Sequence, residues 1–269
     1  MLEQVHEFIE KHKMEKLFHG APALEVWPKV CHVNLMTQIA LQLAKDDNSI
    51  NQELLSICCL HHDDGYAIQY QIHGAFNNSQ DYHHALGLDL LDAYLVNNNI
   101  PITNEIQILR ACIYYHNRIS LAGLSLDDDT KKYVQLVSTA DQIEKKCLAP
   151  VFNIANMVSN YKATIGYPRS GRYEKKIRPA LLEAFSNGQQ FYELVDFHGC
   201  DTPAEDVLHE VNSVMRYIKE YGDIAKWAIQ NISCYGFDSA LTGYSLLLRI
   251  YLSPADAEFA ISMLENALN

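Results

Sequence analysis

The sequence predicts an all-α fold, a helical bundle with additional helices in its C-terminal half. Three observations carry this expectation. Apolar residues recur at helical spacing in one segment after another. Runs that alternate apolar and polar residues are rare and short. Polar clusters containing Gly, Pro, Asn or Asp separate the segments.

The elements can be taken in order. The opening MLEQVHEFIEKHKMEKLF mixes charged and apolar residues at helical spacing and has no uninterrupted apolar stretch, so it does not read as a secretory signal. Residues 33–44 place Leu35, Met36, Ile39, Ala40 and Leu43 on one stripe. Residues 51–62 follow, with Ser49 or Asn51 placed to cap them. The same period returns at 82–96, 104–116, 130–146, 177–193 and 203–221. Loops are expected at 46–49 (DDNS), 74–81 (GAFNNSQD), 97–101 (NNNIP) and 166–171 (GYPRSG). The segment 160–178 is the expected boundary region. It divides the chain into a helical domain over 1–150 and a helical extension over 151–269 that covers the site or forms an oligomer contact. There is no internal repeat and no low-complexity tract.

The chain has 269 residues with 33 acidic and 21 basic side chains, a formal charge of −12. So acidic a surface argues against gripping the phosphates of duplex DNA, which needs a dense Lys/Arg face. A small anionic ligand stays open, because a bound metal supplies local positive charge. The most apolar late stretch, ALTGYSLLLRIYL, is too short to span a bilayer and contains Arg249. Seven cysteines, an odd number with no CxxC pair, read as buried reduced thiols. A cytoplasmic protein without membrane contact is expected.

Six residues of ligand type then stand out. A lone core-facing histidine is more often a hydrogen-bonded structural residue than a ligand, so each needs company. His32 shares its stripe with Met36, Ile39 and Leu43. His62 follows Leu55, Cys58 and Cys59 at i−7, i−4 and i−3, and Asp63 lies about 100° further round. A buried carboxylate beside a buried imidazole is costly unless a positive group pairs with both. His83 precedes Leu86, Gly87 and Leu90 at i+3, i+4 and i+7. Gly87 costs a helix roughly 1 kcal/mol relative to alanine, as if bulk were excluded there. His116 ends an apolar helix with Leu109, Cys112 and Ile113 behind it, and Asp141 shares a face with Val134 and Val137. Imidazole and carboxylate together suit Fe, Mn, Zn, Co or Ni. An aspartate placed between two ions can bridge them, and such a pair activates water.

The order His32, His62-Asp63, His83, His116, Asp141 resembles the HD-domain superfamily of metal-dependent phosphohydrolases. LHHDDG looks like the family's LLHDxG core, HHALGLDLL like its HxxxGxxLL segment, and STADQIEK like its final AD motif. The resemblance spans about residues 28–146. It implies two divalent metal ions, with Fe or Mn favoured over Zn, Co, Ni or Mg, and Asp63 as the bridging ligand. It implies hydrolysis of a nucleotide or other small phosphorylated metabolite. A minority branch of the superfamily uses the same ligand order in diiron oxygenases that cleave C–C or C–P bonds with O₂, and a non-enzymatic sensor is the third reading. The GYP extension of cyclic-di-GMP phosphodiesterases does not follow His116.

The doublets His61-His62 and His83-His84 leave a register choice, and spacing to Gly65 and Gly87 favours His62 and His83. Asp63 and Asp64 are the candidate catalytic carboxylates. Asp64 either orients a ligand histidine or transfers a proton. His84, Arg118 and Lys145 are candidate substrate contacts, with packing or plain surface charge as the alternative. Arg169 and Arg172 either belong to a solvated linker or reach over the site to hold phosphate.

Overall fold

The computed structural model describes residues 2–18, 23–73, 82–118, 120–152, 154 and 204–269, of which 13–18, 23–28, 204–206 and 250–251 are described by backbone alone. The chain forms two compact units, Met1–Gln142 and Ile143–Asn269. The expected division at 150 falls inside the second. Among the described residues the structure is helical throughout, and the one extended pairing is an isolated bridge between Cys234 and Phe237. The all-α expectation holds. No helix among the described residues is long and apolar enough to cross a membrane.

In the first unit the elements are α1 (Leu2–Phe18), α2 (Ala23–Leu43), α3 (Gln52–His61), α4 (Gly65–His73), α5 (His83–Asn97), α6 (Asn104–Tyr115) and α7 (Asp128–Ile143), which runs to the boundary. Helix α2 packs on α3, α3 on α6, α6 on α5 and α5 on α4, so α2 and α4 flank a layer whose centre is α3, α6 and α5. Their shared core is Met36, Ile39, Leu55, Cys58, Leu91, Leu109 and Cys112, all fully buried. Burial of each large apolar side chain contributes about 1.5–3 kcal/mol. Starts are set locally. Asn51 accepts from the backbone N–H of Glu53 and Leu54 and caps α3, which decides between the two expected caps, and Thr103 caps α6. The Arg110 guanidinium donates twice to Asp92, at 2.7 and 2.8 Å, joining α6 to α5.

Two elements differ from expectation. Helix α2 begins at Ala23, so His32 lies in its middle and does not open it. The helix runs through Pro28, and proline ordinarily marks a boundary, which hides the extension in the sequence. Helix α4 was not expected, because nine residues starting at a glycine carry little periodic signal.

The second unit opens with a π-helical segment, Glu144–Leu148, and continues in α8 (Ala204–Tyr221), α9 (Asp223–Asn231), α10 (Ala240–Tyr251) and α11 (Pro254–Leu268). The expected helix 177–193 lies outside the described residues. Tyr244, fully buried, donates to the Cys147 carbonyl at 2.9 Å, and Tyr235 donates to the buried Glu144 carboxylate.

Of the described cysteines, five are buried and only Cys31 is half-exposed. Burial raises the Cys58 and Cys59 thiols well above their ordinary range and pushes Cys147 up to about 12. Thiolate is the nucleophile in alkylation, so these thiols are inert in the folded state. Mass-mapped alkylation of native protein should mark Cys31 before the other described cysteines and reach Cys58, Cys59 and Cys147 only on unfolding. Early labelling of Cys58 or Cys59 would contradict this packing.

Candidate metal centre

The expected ligands converge from helix ends and helix faces of the first unit. His32 projects from the middle of α2. His62 caps the C-terminus of α3, and Asp63 lies in the turn before α4. His83 is the first residue of α5, His116 caps the end of α6, and Asp141 lies near the end of α7. All six are buried, with no more than 5% exposure.

Asp63 is the hub. Its Oδ1 lies 3.1 Å from His83 Nε2, 3.4 Å from His62 Nε2 and 3.5 Å from His116 Nε2. Its Oδ2 lies 3.5 Å from His32 Nε2. Asp141 Oδ1 is 3.1 Å from His32 Nε2 and 3.7 Å from His62 Nε2. The His83 and His116 Nε2 atoms are 3.1 Å apart, and those of His32 and His62 are 3.4 Å apart. Two groups of ligand atoms are compact enough to hold an ion, His32–His62–Asp141 and His62–Asp63–His116.

Helix ends orient two of the rings. The last carbonyls of a helix have no partner in its own ladder. Cys59 O lies 2.7 Å from His62 Nδ1, and Ile113 O lies 2.9 Å from His116 Nδ1, in each case three residues back. A carbonyl accepts only, so each Nδ1 carries the hydrogen and each Nε2 turns a lone pair to the centre. Ligating histidines are commonly held in this way. The centre therefore gathers acceptors. Both Asp63 oxygens are buried with no hydrogen-bond partner. A buried carboxylate so placed needs a cation, and the Lys29 ammonium, 3.8 Å from Oδ2, stands beyond hydrogen-bond reach. The donor set and the orphaned oxygens fit a divalent metal ion.

Protonation states agree with that fit. Burial pushes the His62 imidazole down to about 4, against the opposing pull of Asp63 and Asp141. Burial works to raise the Asp63 carboxyl, but His62 and Lys29, then His116 and His83, outweigh it and hold it well below the carboxylate range. Neutral imidazole and ionised carboxylate are the ligand forms. Unfolded His62 takes up a proton near 6.5 and folded His62 only near 4. Between those values the unfolded state binds more protons, so stability falls on acidification. Thermal melts of chelator-treated protein should show the midpoint dropping from pH 6.5 towards 4. A flat profile across that window would count against a buried neutral His62.

The remaining candidates lie elsewhere. His61 turns away from the cluster: its Nδ1 is 2.7 Å from Asp64 Oδ2 and its Nε2 is 2.7 Å from His6 Nδ1. Asp64 thus pairs with His61. His84 is half-buried, beside Tyr114 and 3.4 Å from Asn117 Nδ2, while His83 is the member of its doublet that faces Asp63. Arg118 is exposed over the Tyr115 ring and lines a cavity of about 340 Å³ with Ser120, Val134, Gln135 and Ser138. Lys145 is half-buried in the π-helical segment of the second unit. Arg169 and Arg172 lie outside the described residues.

Two neighbours escaped the sequence reading. Lys29 Nζ is 3.8 Å from Asp63 Oδ2 and 3.5 Å from the Tyr66 ring centroid. Tyr66 stacks on His83, with centroids 4.0 Å apart and planes 9° apart. Lys29 stands one turn before His32 on α2, which is the signal that could have found it.

Gly65 and Gly87 explain the close approach of α4 and α5. A Cβ on Gly65 would lie 1.7 Å from the His83 carbonyl oxygen and 2.6 Å from Gly87 N. The buried stripe of α5 is His83, Gly87, Leu91 and Leu95, one position removed from the Leu86 and Leu90 of the sequence reading.

Compared with protein-family models, curated proteins and solved structures, the chain gives no match. Functional inference therefore rests on the residues themselves.

Proposed function

We propose that this chain is a metal-dependent phosphohydrolase of the HD-domain type, acting on a nucleotide or another small phosphorylated metabolite. The observation that supports the reading most is the position of Asp63, whose two oxygens face different histidines within a six-residue His/Asp cluster. In this reading His32, His62, Asp63, His83, His116 and Asp141 would hold two divalent ions, Fe or Mn in preference to Zn, Co, Ni or Mg. Such a pair supplies Lewis acidity and lowers the pKa of water.

The chain's own residues do the rest. Cys59 and Ile113 carbonyls hold the His62 and His116 rings in the donor tautomer. The apolar walls of α2, α3 and α6 keep bulk water from the cluster, which strengthens every charge interaction there. Asp64, next to Asp63 in sequence and tied to His61, is a candidate proton carrier in this reading. Arg118, exposed over the Tyr115 ring, remains a candidate phosphate contact in this reading.

Metal-loaded protein should release phosphate or cleave a diester on a panel of nucleotides and generic phosphoesters, and chelation should abolish this. Absence of turnover on the whole panel would overturn hydrolysis. O₂ consumption by iron-loaded protein without phosphate release would move the assignment to the oxygenase branch. Chelator-treated protein should also gain several degrees of thermal midpoint on metal addition, since a ligand that binds only the folded state stabilises it. An unchanged midpoint at saturating metal would argue against the site.

A further inference from the structure

Lys29 occupies a position that the metal reading leaves unexplained. Its ammonium approaches Asp63 Oδ2 at 3.8 Å. That oxygen is buried and also faces His32 Nε2 at 3.5 Å. An ammonium beside Asp63 is a point charge where an ion would place its own. It is held there by the Tyr66 ring, 3.5 Å away, and Tyr66 in turn stacks on His83. The ring face attracts the cation without using a carboxylate, so Lys29 keeps one of its contacts when Asp63 is engaged elsewhere. The side chain is 25% exposed, which leaves the head a route outward.

We propose that Lys29 is a built-in competitor for the metal, an ammonium that partly neutralises Asp63 in the metal-free protein and must give way as the ions bind. The inference rests on the metal reading above and concerns how that site is regulated. Its basis is electrostatic. Asp63 and Asp141 bring two negative charges to the cluster, and Lys29 cancels one of them. A divalent ion on Asp63 takes up a carboxylate that Lys29 approaches and repels its ammonium across a few ångströms of poorly screened interior. Binding therefore carries the loss of one ion pair plus a like-charge contact. The device lowers affinity in exchange for a metal-free state that tolerates its buried carboxylates. The Tyr66 ring, already in contact, stays available to the head as it turns from Asp63.

The test uses metal alone. Full-length, chelator-treated protein is titrated with Mn²⁺ against a chromophoric chelator, as wild type, Lys29→Met, Lys29→Gln and Lys29→Arg. The neutral variants should bind at least about tenfold more tightly, and Lys29→Arg should stay close to wild type. Thermal midpoints should split in parallel: neutral variants fall below wild type without metal and match or exceed it when loaded. A merely structural lysine would lower both midpoints equally. Equal or weaker Mn²⁺ affinity in both neutral variants overturns the proposal, as does Lys29→Arg behaving like Lys29→Met. If Lys29→Met does not fold without metal, Lys29→Gln decides. Wild type that binds no metal removes the metal reading and this inference together. Wild type that binds, with all variants alike, removes this inference only.

Discussion

Asp63→Asn is expected to have the largest effect of any single substitution on activity. The amide keeps the shape of the side chain but loses its charge, and it aims an N–H₂ group at a centre built from acceptors. Loss of hydrolysis on the order of a thousandfold, about 4 kcal/mol of barrier, follows if Asp63 joins the two ions. Bound metal should fall below that of wild type in the same protein. Metal addition should raise the melting midpoint of wild type and leave that of the variant nearly unchanged, which separates a ligand from a structural residue. Retention of full metal content and activity in Asp63→Asn would dismiss its place at the hub.

Gly65→Ala is expected to have the largest effect on stability outside the hydrophobic core. The added methyl would sit 1.7 Å from the His83 carbonyl oxygen, and backbone cannot move aside as a side chain can. Helix α5 must shift and carry His83 with it. Overpacking of this kind costs about 1–3 kcal/mol, and here the upper end or beyond is expected. Metal affinity should fall too, since a shift of α5 moves His83 from its place 3.1 Å from Asp63. Gly87→Ala is the control. Its methyl would meet Ile113 Cγ2 at 3.0 Å and Gly65 N at 3.2 Å, tight but far looser than the Gly65 clash, and alanine returns roughly 1 kcal/mol of helix propensity. Denaturant melts should therefore place Gly65→Ala well below Gly87→Ala. Equal midpoints would mean that the α4–α5 contact is looser than drawn.

Much of this was legible in the sequence because helical periodicity and side-chain direction are coupled. His32 and Asp141 sit on apolar stripes, and those stripes point to the cluster as their spacing says. His62 and His116 were legible for the same reason, even though both cap their helices, because a C-cap in the αR region continues the helical direction. Gly87 was noticed as an anomaly, but its partner Gly65 emerges only when two backbones are placed together. Lys29 and Tyr66 were missed because a cation over a ring has no sequence period. The pairing of His61 with Asp64 and His6 joins α3 to a helix 55 residues away, and no local pattern announces it. The start of α2 was hidden by Pro28. No match to any family model bears on the choice between hydrolase and oxygenase, so that step rests on motif resemblance and chemistry.

The central claim is that His32, His62, Asp63, His83, His116 and Asp141 together hold a pair of metal ions. Elemental analysis of protein purified without chelator, on wild type and His62→Ala side by side, tests it most directly. The account predicts close to two transition-metal ions per wild-type chain and a clear loss in folded His62→Ala, because His62 belongs to both compact ligand groups. Folded wild type that carries no metal and takes up none on titration would contradict it.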